Sequence, residues 1–436
     1  MDDLKHQYII ICESTSHMLN TDRLLKLRGI KTELTPTPSE YGSICTTAIA
    51  FDAEDKSFIE DILQKNYLGF QQIHPYQPRK LSGLIRSLKN NIISQPFNEV
   101  MVKIQEGKEL TKEEIVLLLK SDSQSEKEAL YQAADKMREE IIGDTVEIRG
   151  AIEFSNYCKK ECNYCGIRKG CTTPSRYRMT EDEIMESVYQ LHQWGIKTVI
   201  LQSGEDDYYT TDMLIQIITR IKRETKMGVT LSIGEKSYDE YQFLREAGTN
   251  NFLLKIETTN RQIFEFIHPD DNYDTRIQCS EWLRELGYAN GSGNMIGLPG
   301  QTEEDIAEDI LFFKKMRIHM IGIGPFIPAK GTPFETYETG SIEMTLKAVA
   351  VTRLVCKNVY IPATTALASI DPDGQTKALK CGANTIMLIS TPEKYRKNYQ
   401  IYSHKNMIDL ASAFKSIAEA NRSIPKYLKV TPQEVV

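Results

Sequence analysis

Apolar positions follow three different rhythms along this chain. In residues 8–76, short apolar runs alternate with amphipathic stretches. YIIIC (8–12), KTELTP (31–36), TAIAFD (47–52) and FQQIHP (70–75) read as strands, and residues 17–28 and 55–66 as helices. The polar connector YQPRKLSG follows, with Pro75 and Pro78 as breakers. Residues 79–144 keep a helical period, and Thr111-Lys-Glu-Glu114 is a capping box ahead of the apolar run IVLLL. From 145 onward strands and helices alternate. The expected strands are 146–154, 198–204, 229–234, 251–257, 291–297, 320–327, 360–366 and 385–389. Thr180-Glu-Asp-Glu183, Ser237-Tyr-Asp-Glu240 and Thr302-Glu-Glu-Asp305 mark three helix starts between them.

These rhythms predict an α/β chain in three parts. Residues 1–78 have the order of a small ferredoxin-like α+β domain. Residues 79–144 form a helical arm. Residues 145–436 have the arithmetic of a (βα)8 TIM-type barrel with a C-terminal tail. Such barrels place their chemistry at the C-terminal ends of the strands, so the residues there are the ones to search.

Composition narrows the function classes. Apolar residues make up 41% and charged residues 26%, enough for a sizeable core. Lys and Arg number 53 against 60 Asp and Glu, a net charge of −7, which argues against a nucleic-acid or anionic-membrane binder. No apolar stretch approaches the roughly 18 residues that span a bilayer. The acidic start MDDLKHQYII does not read as a signal peptide. Nine cysteines, an odd number, suit a reducing cytoplasm rather than a disulfide scaffold.

Three of those cysteines carry the chemistry. Cys158, Cys162 and Cys165 stand at spacings of four and three just past the first barrel strand. Three thiolates without a close fourth suit an iron–sulfur cube with one iron left open, whereas structural zinc takes four ligands. Cys171 is the residue that would turn this into a closed structural site. A redox dithiol is the other alternative.

Cys-x3-Cys-x-Tyr-Cys after a first barrel strand resembles the radical S-adenosylmethionine (SAM) superfamily. IEFSNYCKKECNYCGIRK (152–169), GIGPFIPAKGTPF (322–334), IPATTAL (361–367) and YRKNYQIY (395–402) are similar to the FeFe-hydrogenase maturases of the HydE type. That resemblance implies one 4Fe-4S cluster on Cys158, Cys162 and Cys165, with SAM chelated at the open iron and cleaved to a 5′-deoxyadenosyl radical. It places Tyr164 beside the adenine and Ser203, Gly204 and Glu205 at the SAM amino group. It makes Glu257 and Arg276 further SAM contacts, and Lys255, Thr364, Thr365, Tyr399 and Tyr402 substrate contacts. Met295 and Met387 match cavity-lining positions.

Each residue also has a plainer reading. Glu205 can be a solvated turn carboxylate, Arg276 a surface cation, the threonines barrel filling and the tyrosines a packed pair. Lys255 stands where many relatives have arginine, a point charge in place of a fork. An ion pair between Lys255 and Glu257 is not expected, since strand neighbours two apart sit well separated. His268 reads as a helix-end histidine.

The resemblance further implies a small organometallic or amino-acid-derived substrate, a reductant of the ferredoxin or flavodoxin type, and the other hydrogenase maturases as partners. A methylornithine synthase-like mutase and a non-enzymatic iron–sulfur scaffold are the alternatives. Residues 31–51 resemble a family of selenium or sulfur carriers. This makes Cys45 a carrier thiol or its domain a docking module, and leaves Cys12 in the core.

Overall fold

The computed structural model describes residues 7–12, 15–37, 41, 47–65, 70–76 and 93–434. Cys45 lies outside the described residues. The chain divides into two compact units, residues 1–80 with 140–143, and residues 81–139 with 144–436.

The small unit is built from β1 (Tyr8–Cys12), α1 (Thr15–Leu27), β2 (Thr32–Pro36), β3 (Thr47–Phe51), α2 (Lys56–Lys65) and β4 (Phe70–Pro75). All three strand pairings are antiparallel in the order β2-β3-β1-β4, the split arrangement expected from sequence. Alternation along β1 serves both faces. Ile10 and Cys12 pack with Met18, Leu25, Ile59, Ile62 and Leu63 of the two helices, while Ile9 and Ile11 pack with Ala48 and Ala50. Cys12 is buried as expected, its thiol 4.0 Å from Thr21 Oγ1.

The large unit opens with α3 (Gln95–Gln105), α4 (Lys112–Leu119) and α5 (Gln124–Ile141). Then come β5 (Glu147–Ser155), α6 (Glu181–Gln193), β6 (Thr198–Ser203), α7 (Thr211–Thr225), β7 (Gly228–Ser232), α8 (Tyr238–Glu246) and β8 (Asn251–Leu253). After α9 (Arg261–Ile267) and α10 (Tyr273–Glu285) follow β9 (Ala289–Ile296), α11 (Glu303–Lys315), β10 (Met320–Pro325) and α12 (Ile342–Cys356). α13 (Thr365–Ile370), α14 (Gly374–Lys380), β11 (Thr385–Ile389), α15 (Glu393–Arg396) and α16 (Leu410–Glu419) complete it. The capping boxes at Thr111, Thr180, Ser237 and Thr302 all form. Among the described residues no helix is long and apolar enough to cross a membrane.

Seven strands form one parallel sheet in the order β10-β9-β8-β7-β6-β5-β11. The eighth strand, expected over 360–366, is not one. Only Tyr360 and Pro362 form bridges, to Met320 and Thr385. The segment still links the two edges: Tyr360 N–H donates to His319 O (2.8 Å) and Ala363 N–H to Thr385 O (2.8 Å). Pro362 has no N–H to give, and Thr364 already caps α13, so nothing is left to lengthen the ladder. A partial barrel bridged by a short extended segment results.

A second correction shapes the site. The strand expected over 251–257 ends at Leu253. Leu254 N–H reaches Gly291 O (3.0 Å) and Glu257 N–H reaches Gly293 O (3.0 Å), three residues against two, a bulge. The spare N–H of Ile256 goes to Ser292 Oγ (3.2 Å). Glu257 takes φ +62°, a strained value for a side-chain-bearing residue. Just beyond it, buried Asp309 of α11 accepts from Thr259 N–H (2.6 Å), Thr259 Oγ1 (2.7 Å) and Asn294 Nδ2 (2.9 Å). Burial pushes its carboxyl up to about 7 despite these donors.

Candidate active site

The C-terminal ends of the strands open into a cavity of about 370 Å³. Every site residue named from the sequence lines it, and so do Met295 and Met387. Glycines at inward positions of β10, Gly322 and Gly324, leave open the space that bulky side chains fill in an ordinary barrel.

The cysteine loop leaves β5 directly. It is held against the end of β6, where Gly204 is required: a Cβ there would stand 2.3 Å from Tyr157 O and 2.7 Å from Cys158 Cβ. Lys159 N–H donates to Glu205 O (2.9 Å), and Glu205 N–H points at Cys158 Sγ (3.4 Å). Ser203 Oγ donates to Gly204 O (2.7 Å). Burial pushes all three thiols up, Cys165 to about 12 and Cys162 well above the ordinary range; neighbouring thiols add to it at those two, and the Glu205 carboxylate at Cys158. Thiols raised in this way hold their protons, and a cationic group that binds thiolate would release them. Among the described residues no three Cys, His, Asp or Glu side chains converge on a single ion. The fit to test is therefore to a cubane, whose corners lie farther apart. Three thiols lining one cavity provide the donor set it needs. Cys171 is buried but does not line the cavity, and its thiol points at Lys330 O (3.8 Å).

A charge network faces the thiols. Arg276 donates from Nε to Glu235 (2.6 Å), from Nη2 to Asp271 (2.7 Å) and from Nη1 to Lys255 O (2.7 Å). It is no surface cation: its side chain is 8% exposed. Lys160 lies 3.0 Å from Asp271 and 4.0 Å from both Glu205 and Glu235. Three carboxylates thus face two cations, an excess that suits a ligand ammonium. Burial raises Glu205 and Glu235. Burial acts the same way on Asp271, but Arg276 and Lys160 outweigh it and hold that carboxyl low. Lys160, Glu235 and Asp271 are absent from the sequence reading, although Lys160 lies inside the cysteine motif.

Tyr164 sets its hydroxyl 3.2 Å from His268 Nε2, and the two rings meet edge to face. His268 does end α9, as expected, but it also lines the cavity. Burial holds its imidazole neutral, down to about 3.

The segment after β8 brings one more correction. Lys255 Nζ and Glu257 Oε2 form an ion pair at 2.9 Å, because the bulge swings the two side chains together. Thr364 and Thr365, at the start of α13, and Tyr399 and Tyr402 also line the cavity. The cavity lining also holds a buried ion pair that the sequence reading missed. Lys405 donates to Glu153, with side-chain exposures of 3% and 2%. Thr391 Oγ1 donates to the other carboxylate oxygen (3.3 Å), and the ammonium lies 4.9 Å from the Tyr399 ring centroid. Burial keeps Glu153 raised even so. A lone glutamate in the apolar run GAIEF was the available signal, for a buried carboxylate needs a partner.

Comparison with known proteins finds relatives for both parts of the chain. Residues 152–313 match the radical SAM superfamily model, and residues 7–75 match a model described as Se/S carrier protein-like. The [FeFe] hydrogenase maturase subunit HydE of Thermotoga maritima is 44% identical over 309 residues, 70% of this chain and 88% of that one. A 3-methylornithine synthase of Methanosarcina acetivorans is 28% identical over 330 residues, 75% of this chain and 90% of that one. Among solved structures, methylornithine synthase superposes with a TM-score of 0.67 at 26% identity, covering 75% of this chain and 98% of that one. HydG from Carboxydothermus hydrogenoformans shares the fold at the same TM-score of 0.67 and 21% identity, over 78% of this chain and 80% of that one. With three thiols on the cavity wall at the radical SAM spacing, and 44% identity to a HydE over most of both chains, this chain belongs to the HydE family of radical SAM enzymes.

Proposed function

We propose that the chain works in assembly of the FeFe-hydrogenase active-site cofactor, acting on a small organometallic or amino-acid-derived substrate. The observation that supports this reading is one cavity lined by the three cysteines, by the hydroxyls of Thr364, Thr365, Tyr399 and Tyr402, and by the Lys255–Glu257 and Lys405–Glu153 ion pairs. Cys158, Cys162 and Cys165 would hold the 4Fe-4S cluster, which with SAM supplies reductive sulfonium cleavage to a 5′-deoxyadenosyl radical.

The chain's own residues bind, orient and exclude water. Glu205 and its neighbouring carboxylates would take the SAM ammonium, and the two free N–H groups' worth of Arg276 its carboxylate. Tyr164 would flank the adenine. Glu257, aimed by its strained backbone, would accept from ribose hydroxyls. Lys255, Thr364 and Thr365 would hold the anionic or polar end of the substrate, with Tyr399 and Tyr402 closing over it. Leu253, Leu254, Ile327, Ile389 and Ile401 give the cavity an apolar lining, which protects a reactive carbon centre from side reactions. A ferredoxin or flavodoxin would supply the electron, and the setting would be cytoplasmic.

The mutase reading has the better-covered structural match, 98% of methylornithine synthase, but much lower identity, 28% against 44%. Anaerobically reconstituted protein, given dithionite and SAM, should release 5′-deoxyadenosine. Absence of that product would leave only the scaffold reading, and rearranged amino acid would favour the mutase.

A further inference from the structure

The loop bearing Cys158, Cys162 and Cys165 is tied down by one side chain outside the cavity. Arg176 Nη1 donates to Asn156 O (2.5 Å) and Ile167 O (2.8 Å), and Nη2 to Arg168 O (2.6 Å) and Cys171 O (2.7 Å). Asn156 comes two residues before the first cysteine. Ile167 and Arg168 follow the third, and Cys171 closes the loop. A single guanidinium thus grips both ends of the segment. The Asn156 side chain braces the same point, donating to Ser175 O (2.9 Å) and Asn398 O (2.8 Å) and accepting from Tyr177 N–H (2.7 Å).

All four acceptors of Arg176 are neutral carbonyls, and among the described residues no carboxylate pairs with it. Its contrast is Arg178, two residues on, which is neutralised by a two-pronged pair with Asp206 (2.7 and 2.8 Å). The charge of Arg176 is therefore not cancelled locally, and its hydrogen bonds to Asn156 O and Ile167 O hold it within two residues of Cys158 and of Cys165 along the chain.

We propose that Arg176 is a positioning residue for the cluster, holding the cysteine loop in cluster-ready shape and leaving an uncancelled positive charge beside the bound group. Ordering a loop of this length costs conformational entropy that would otherwise fall on cluster binding. Arginine's planar fork can serve four carbonyls at once, which a lysine cannot. A nearby positive charge favours the reduced, more negative cluster and so raises its potential. The proposal rests on the cluster assignment above.

The test compares wild type with Arg176→Lys and Arg176→Gln, each confirmed folded by circular dichroism and gel filtration. Without iron, Arg176→Gln should be cut by protease within residues 157–171 at least tenfold faster than wild type. After anaerobic reconstitution, its loaded fraction should show a more negative midpoint potential by EPR redox titration. Arg176→Lys, which keeps the charge and loses the fork, should share the faster cleavage but keep a potential near that of wild type. Protection equal to wild type in Arg176→Gln, or an unchanged potential in it, would overturn the proposal. Wild type that binds no cluster would instead overturn the functional reading beneath it.

Discussion

Alanine at Cys158, Cys162 or Cys165 is expected to abolish SAM cleavage, while Cys171→Ala leaves iron content and cleavage intact. The three thiols line one cavity; Cys171 turns away toward Lys330 O. A cubane held by three thiolates keeps one iron for SAM, and a fourth protein ligand would fill that position. Losing any of the three leaves two ligands, and cleavage should fall to background. Losing Cys171 removes one small buried side chain, on the order of 1 kcal/mol of stability, with no change in ligation. Anaerobic reconstitution of the four variants, with iron and 5′-deoxyadenosine measured on each, checks this. Loss of cleavage in Cys171→Ala equal to the others would overturn the assignment.

Lys405→Met is expected to be the most destabilising single change in the cavity wall. The variant leaves Glu153, whose side chain is 2% exposed, without its ammonium partner. Removing one partner of such a pair costs about 3–5 kcal/mol. The pH dependence follows from the raised Glu153 carboxyl. A carboxyl whose folded value lies above its unfolded one binds more protons when folded, so its penalty is absent below the unfolded value near 4.5 and grows as pH rises through the window above it. The defect of Lys405→Met should therefore be larger at pH 8 than at pH 5.5, and Glu153→Gln/Lys405→Met should recover much of it. Urea unfolding of the three proteins at both pH values decides this. A midpoint like wild type at pH 8 in the single variant would show that the pair carries no such load.

What could be read from the sequence was what short spacing encodes. The cysteine motif, the Ser203-Gly204-Glu205 turn and the four capping boxes depend on residues within a few positions of each other; the first two line the cavity and the four boxes form. The order of the small sheet followed from its element order. Features made by distant chain segments could not be read this way. Glu153 and Lys405 are 252 residues apart, and Arg276 meets Glu235 across 41. The bulge after β8 depends on Ser292 and Gly293 of the neighbouring strand, so a strand rule applied to 251–257 separated Lys255 from Glu257 when the fold joins them. Pro362 ended the eighth strand for a reason visible in the sequence, the missing N–H.

The central claim is that Cys158, Cys162 and Cys165 hold one cluster with an iron open to SAM. EPR of the reduced, reconstituted protein with and without SAM, alongside iron analysis, tests it most directly. The account predicts about four irons per chain and a spectrum that changes when SAM is added. A spectrum indifferent to SAM, or about eight irons per chain, would contradict it.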